Sequence, residues 1–201
     1  MKQDNAFTGL EAAIVLIAFV VVAAIFSYVM LGAGFFATQK AQEVTYAGVK
    51  QTTSNLIPEG VIYGNFTGSY VDQIQVALAV PIGGQSQDVA VMTIAYTSPR
   101  QTTPYNFELD NSGSPIGPGQ FRVSEINGRK PTGPSSDTTY IVHPGENCVL
   151  VLGFSDPGQN NNIAKGPRTG DWFQLEVKPV VGAPTTIRRT IATGFEGGKL
   201  L

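Results

Sequence analysis

Residues 12–37 read AAIVLIAFVVVAAIFSYVMLGAGFFA, a run without a single charge that follows Glu11 and starts close to the N-terminus. At about 1.5 Å of rise per residue, a helix of that length extends roughly 39 Å, more than the approximately 30 Å hydrocarbon core of a bilayer. The run can span a membrane. It matches a secretory signal poorly, because such a signal has an apolar stretch of about 7 to 15 residues behind a basic leader and ahead of a small-residue cleavage step. Here the run is longer, the leader carries Lys2 together with Asp4, and no Ala-x-Ala step follows. The segment is expected to stay in the mature protein.

The same helix is expected to continue, since residues 38–56 contain Gly48 but no other Gly and no Pro. Ala41, Val44, Tyr46, Ala47, Val49, Leu56 and Ile57 recur at roughly helical spacing, and Lys40, Glu43 and Lys50 supply the charges. Pro58 and Gly60 mark its end. A helix over residues 8–57 would reach about 75 Å, so its distal third must lie in protein or water. Small residues (Ala12, Ala13, Ala18, Ala23, Ala24, Ser27, Gly32, Ala33, Gly34 and Ala37) alternate with Leu, Ile, Val and Phe. Small side chains let helix backbones approach closely where no hydrophobic effect drives association. Two readings follow: a plain single-pass anchor, or a helix that leaves lipid and packs against copies of itself.

Beyond residue 60 the chain changes character. Short β-branched stretches at 72–80, 88–96, 120–126, 138–143, 147–154, 172–180 and 185–191 are separated by Gly/Pro-rich clusters. Seven or eight strands at that spacing predict an antiparallel β-sandwich. FQLEVK at 173–178 alternates most clearly, apolar on one face and polar on the other. The expected class is α+β: one long N-terminal hydrophobic helix, then a single antiparallel immunoglobulin-like β-sandwich or barrel over residues 61–201. Residues 81–84, 111–119, 129–134 and 156–170 read as surface loops.

The net charge of −2 and a pI near 5.4 provide no basic face, so a nucleic-acid partner is not expected. Catalytic chemistry is sparse. The single histidine, His143, precedes Pro144 and Gly145 and reads as a surface residue. The single cysteine, Cys148, lies in an apolar strand, cannot form an intrachain disulfide, and reads as a small buried hydrophobe. Paired, the two could form a nucleophile and base, but nothing else in the chain supports that. Asp156, Asn160, Asn161 and Asn162 offer oxygen ligands to a hard cation yet lack the spacing of an EF-hand loop, and a solvated loop is the simpler reading. No cofactor, metal or enzymatic activity is expected. Asn65-Phe66-Thr67 is an N-glycosylation sequon. Glu11, at the edge of the apolar run, is costly to bury unless a cation pairs with it; otherwise it is a flanking charge at headgroup level.

FTGLEAAI at 7–14, the apolar run, GAGFFATQ at 32–39 and AGVKQTTSNL at 47–56 together resemble an archaeal flagellin (archaellin), and FQLEVKP at 173–179 with residues 182–190 resembles that family's end. The resemblance implies a prepilin-type leader, residues 1–6, cut by a membrane aspartic peptidase between Ala6 and Phe7. Glu11 would become the fifth mature residue, a position linked in related pilins to processing or to pairing with a mature N-terminus. Gly9 belongs to the same processing and assembly motif. Two features depart from the common pattern: Ala6 stands where Gly is usual, and Asp4-Asn5 where basic residues are frequent. Residues 7–57 would form the filament core and 61–201 an outer domain with a glycan at Asn65. The implied function is the structural subunit of the archaellum, a swimming filament outside the cell whose precursor is membrane-inserted. Its implied partners are further copies of itself, sister archaellins, the prepilin-type peptidase and an ATP-driven assembly machine. An adhesive archaeal type IV pilin and a single-pass anchored β-sandwich binding module are the alternatives.

Overall fold

The computed structural model describes residues 4–109, 115–131, 140–156, 158 and 163–200, with side chains from Gly9 onward. The chain divides into two compact units, Met1–Gly48 and Val49–Leu201.

The first element, α1, runs Asp4–Thr53 without a break. Thr38, Thr45 and Thr53 would lower helix propensity, but each turns its hydroxyl back to the carbonyl four residues earlier, on Gly34, Ala41 and Val49. The helix ends four residues short of the expected Ile57. Ser54 caps its end: its backbone N–H closes the last helical bond to the Lys50 carbonyl at 3.1 Å, and its hydroxyl donates to the same carbonyl at 2.5 Å. Past that cap the chain becomes extended and buries Leu56 completely. Ile57–Pro58 then forms β1, paired with Ala79 and Leu78.

The remaining strands are β2 Ile62–Thr67, β3 Tyr70–Ala79, β4 Gln87–Asp88, β5 Thr93–Thr97, β6 Thr102–Phe107, β7 Gln120–Ile126, β8 Ile141–Val142, β9 Asn147–Gly153, β10 Trp172–Lys178, β11 Thr185–Thr190 and β12 Gly198–Leu200. Ten strands form one sheet in the order β11-β10-β5-β6-β7-β9-β3-β2-β12, with β1 beside β3. The path curls into a nearly closed barrel or sandwich around one core. Among the described strands, pairing is antiparallel except between β6 and β7, which run parallel at Asn106/Gln120 and Phe107/Phe121. The expected strand at 88–96 breaks in two. Asp88 accepts a hydrogen bond from the Ala90 N–H and opens a 3-10 turn, Val89–Val91, before β5 resumes.

Alternation places Ile74, Val76 and Leu78 of β3, Phe121 and Val123 of β7, Leu150 and Leu152 of β9, and Phe173, Leu175 and Val177 of β10 in a common core, which Val71 joins across a bulge at Asp72. Tyr96, Tyr105 and Phe154 pack edge to face with centroids 4.8 to 6.2 Å apart. The sheet's two edges are blunted. β12 has three residues, and β11 carries the exposed Arg188 and Arg189, with the Arg188 guanidinium 4.3 Å above the Trp172 ring.

Candidate functional site: the apolar rod and its exit

All of α1 that has described side chains, residues 9–53, is exposed. Phe19 is 76% and Tyr28 80% exposed, and Leu10, Leu16, Phe26, Phe35 and Phe36 are each above 60%. Over residues 12–37 apolar and small side chains surround the helix, leaving no charged face. A helix that is hydrophobic all round must be covered by something. From Gly9 to Thr53 it is long and apolar enough to cross a membrane, with a mean hydropathy of 2.9 over its most apolar window.

The glycines say more. A Cβ added to Gly9, Gly32, Gly34 or Gly48 would meet nothing within 4 Å. Among the described residues, no neighbour restricts the space beside Gly9, Gly32 or Gly34. Each costs about 1 kcal/mol relative to Ala in a helix interior. Their smallness has a use only if another backbone comes close from outside, as between packed apolar helices. Glu11 sits exposed on this rod beside Gly9. Ala6 and Phe7 lie in the helical backbone, one turn before it.

The exit of the rod is a built joint. Gln87 is buried, and its side-chain amide donates to the Ser54 carbonyl at 3.1 Å and the Val181 carbonyl at 2.8 Å. The Gln85 N–H reaches the Ser54 hydroxyl at 3.2 Å, the Ala183 N–H reaches Asn55 Oδ1 at 2.6 Å, and the Thr185 hydroxyl bonds the Leu56 carbonyl. Gly182, at φ +121°, leaves no room for a side chain: a Cβ there would stand 2.6 Å from the Ser54 carbonyl oxygen. Sequence reasoning missed this joint. Its partners lie up to 129 residues apart, and a Gln in a Gly/Ser/Gln loop carries no motif.

Asn65 lies exposed on β2, where a bulge pushes Asp72 of β3 out of register. One Asp72 oxygen accepts from both sequon side chains, Asn65 Nδ2 at 3.3 Å and Thr67 Oγ1 at 2.8 Å. His143 and Cys148 do not form a nucleophile and base. His143 is exposed in a turn, with Nδ1 3.0 Å from the Ser86 hydroxyl and its N–H on Glu146. Cys148 is fully buried, and burial pushes its thiol up to about 12. Asp156 Oδ1 accepts from the Gly158 N–H at 2.7 Å. Asn160, Asn161 and Asn162 lie outside the described residues, and among those described no three His, Cys, Asp or Glu side chains are placed to hold a metal.

The family model for archaeal-type flagellin matches residues 6–189. The chain belongs to the archaeal-type flagellin family. It is 37% identical over 187 residues to a probable flagellin of Archaeoglobus fulgidus, covering 91% of this chain and 88% of that one. Among solved structures, the archaeal flagellum of Methanospirillum hungatei strain JF1 superposes with a TM-score of 0.62 at 41% identity, over 96% of this chain and 99% of the other. An archaeal flagellin of Methanocaldococcus jannaschii shares the fold at 14% identity, with a TM-score of 0.50 over 72% of this chain and 95% of its own. These are structural filament subunits and not enzymes. Archaellins polymerise into a filament. Neither the adhesive-pilin nor the anchored-module alternative is favoured.

Proposed function

We infer that this archaellin is the repeating subunit of an archaellum, and that α1 becomes the filament core while the β unit forms the outer coat. The observation that carries the reading is the rod itself, exposed along its whole described length, with open space beside Gly9, Gly32 and Gly34. Before assembly the rod is held in the membrane as a precursor, where lipid covers its side chains. Cleavage by a prepilin-type peptidase between Ala6 and Phe7 frees an α-amino group four residues ahead of Glu11. That cation pairs with a Glu11 carboxylate, whose burial in the filament would otherwise be costly. Gly9 keeps the backbone between them open to a neighbouring helix.

Burying on the order of 1,000 Å² of apolar surface at about 25 cal/mol/Å² corresponds to roughly 25 kcal/mol before ordering costs, but lipid already shields most of that area. The net gain on leaving the bilayer is much smaller, which is why an ATP-driven machine is part of the proposal. Contacts of this kind are heterologous and do not close, so they propagate as an open helix. The blunted edges of the sheet favour assembly through the rod over strand addition. Asn65, exposed on the coat, is the proposed glycan acceptor, and sister archaellins with the same rod could share the filament.

Shearing filaments from cells and analysing their N-termini by mass spectrometry tests the processing step. A subunit beginning at Phe7 is expected, and a subunit that still begins at Met1 contradicts it. Digestion of the same filaments should yield an Asn65 peptide heavier than its sequence mass.

A further inference from the structure

We propose that residues 192–200 form a strap that closes over the Asn65 sequon, so that the glycan is joined to the chain before the strap docks and not after. The inference rests on the reading of Asn65 as a glycan acceptor, and adds to it the order in which transfer and folding occur. In the folded chain every residue from Gly64 to Thr67 is held. One Asp72 oxygen accepts from Asn65 Nδ2 at 3.3 Å and from Thr67 Oγ1 at 2.8 Å. Phe66, between them, meets Phe195 edge to face, with ring centroids 5.9 Å apart and planes at 85°. A Cβ built on Gly64 would stand 3.1 Å from the Leu200 side chain and 3.4 Å from the Phe195 ring, and one on Gly197 would stand 3.7 Å from Phe66. β2 is also paired along both edges, with β3 from Tyr63 to Thr67 and with β12 from Ile62 to Gly64.

Transfer makes a bond from Asn65 Nδ2 to the anomeric carbon of a glycosyl phosphate donor. The carbon–oxygen bond to the donor's phosphate breaks, the phosphate leaves with that electron pair, and Nδ2 gives up one proton to a base. A carboxamide nitrogen is a poor nucleophile, because its lone pair is delocalised into the carbonyl by the resonance that also flattens the peptide bond. A transferring enzyme must therefore grip the carboxamide, and the sequon's third residue offers it the Thr67 hydroxyl. Asp72 already engages both groups. A strand hydrogen-bonded on both sides cannot bend into an enzyme's cleft without giving up its ladder.

The strap is made to close late and to open first. Gly194, Gly197 and Gly198 have φ of +87°, +115° and +110°, backbone states that side chains disfavour. Residues 192–199 are exposed apart from the half-buried Phe195, and Leu200 drops into the core at 4% exposure. Phe195, Leu200 and the three residues of β12 anchor the segment. A segment with so few buried contacts opens locally at lower free energy than the core strands. Chain order points the same way, since β12 follows β2 by many strands and β2 is made before the strap that covers it exists. Docking of the strap then ends the interval in which Asn65 is accessible to transfer.

Rates of transfer onto Asn65 test the proposal. The full chain, made in a host without the transferase and folded in detergent, is incubated with membranes carrying the transferase and its glycosyl donor, beside a peptide spanning residues 60–70. Mass spectrometry counts the modified Asn65. The folded chain is expected to react at least about tenfold more slowly than the peptide, because transfer waits for the open form. Phe195→Ala and Leu200→Ala, tested singly, should each recover much of that difference, while hydrogen exchange shows the β3 and β9 amides still protected. Phe121→Ala, which weakens the core away from the strap, should recover little. Equal rates for the folded chain and the peptide overturn the strap and leave Asn65 an acceptor. Acceleration by Phe121→Ala as large as by the strap variants overturns it in favour of general unfolding. Absence of glycan from Asn65 in both the peptide and native filaments overturns the acceptor reading, and the proposal with it.

Discussion

The rod contains Val20-Val21-Val22 and the core strand β9 contains Val149-Leu150-Val151-Leu152, two runs of nearly the same composition with opposite outcomes. In β9 the run is extended, and Leu150 and Leu152 are almost wholly buried against β3 and β7. In α1 the valines are helical and at least half exposed. Strand propensity favours the extended form in both places. The difference lies in where each backbone finds its hydrogen bonds. Turn-forming clusters on both sides of β9 return the chain to other strands, whereas the long uninterrupted apolar run of α1 has only itself, as any segment in lipid must. The β unit closes its own accounts of burial, and the rod leaves its burial to neighbours.

That contrast is open to attack first on the rod. Gly32→Leu with Gly34→Leu should abolish filaments in electron micrographs, because bulk would enter where helices approach closely. The thermal midpoint of the β unit should not move, since a Cβ added at either glycine meets nothing within 4 Å. A shifted midpoint with normal filaments would reverse the roles assigned to the two regions. In the β unit, Phe121→Ala should cost about 3 to 5 kcal/mol in denaturant unfolding of the detergent-solubilised chain, as expected for a fully buried aromatic.

The joint is the intermediate case. Gln87→Leu keeps the volume but leaves the Ser54 and Val181 carbonyls without their donor, and should cost about 1 to 3 kcal/mol by the same measurement.

Alkaline titration separates the regions by pH. Burial raises the thiol of Cys148 from 9.0 to about 12, and raises the phenols of Tyr96 and Tyr105 above their ordinary 10.0. Each group is neutral when protonated. Below pH 9 folded and unfolded chains both hold these protons, and the slope is zero. Above pH 9 for the thiol and pH 10 for the phenols the unfolded chain releases them first, so stability falls with rising pH. Unfolding midpoints should be level near neutrality and decline from about pH 9, and Cys148→Ala should remove the earliest part of that decline. Smallest of all, Arg100→Ala breaks a half-exposed 3.2 Å ion pair with Asp171 and should change stability by less than about 1 kcal/mol.

What the sequence disclosed follows the same division. α1 was legible because twenty-six uncharged residues in a row admit few outcomes, and β3, β7, β9, β10 and β11 were legible because alternation records a buried face. β2 was hidden by Gly64, which reads as a breaker, yet a Cβ there would stand 3.1 Å from the Leu200 side chain. Its smallness serves a contact made 136 residues later in the chain. β6 was hidden by Pro104, which demotes a strand in isolation, and β12 by its three-residue length. Of the candidate site, the roles of Glu11, Gly9 and the leader junction come from the family resemblance and stand as proposals. The joint was not legible, because Gln87 acts through carbonyls at residues 54 and 181, and no local window contains all three.

The central claim, that α1 exchanges lipid for copies of itself, is tested most directly by a density map of the native filament at side-chain resolution. Residues 12–37 should lie about the filament axis, each rod enclosed by neighbouring rods with Gly32 and Gly34 at the closest backbone approaches. A map with the rods on the periphery would contradict it, as would surface subunits whose rods never leave the bilayer.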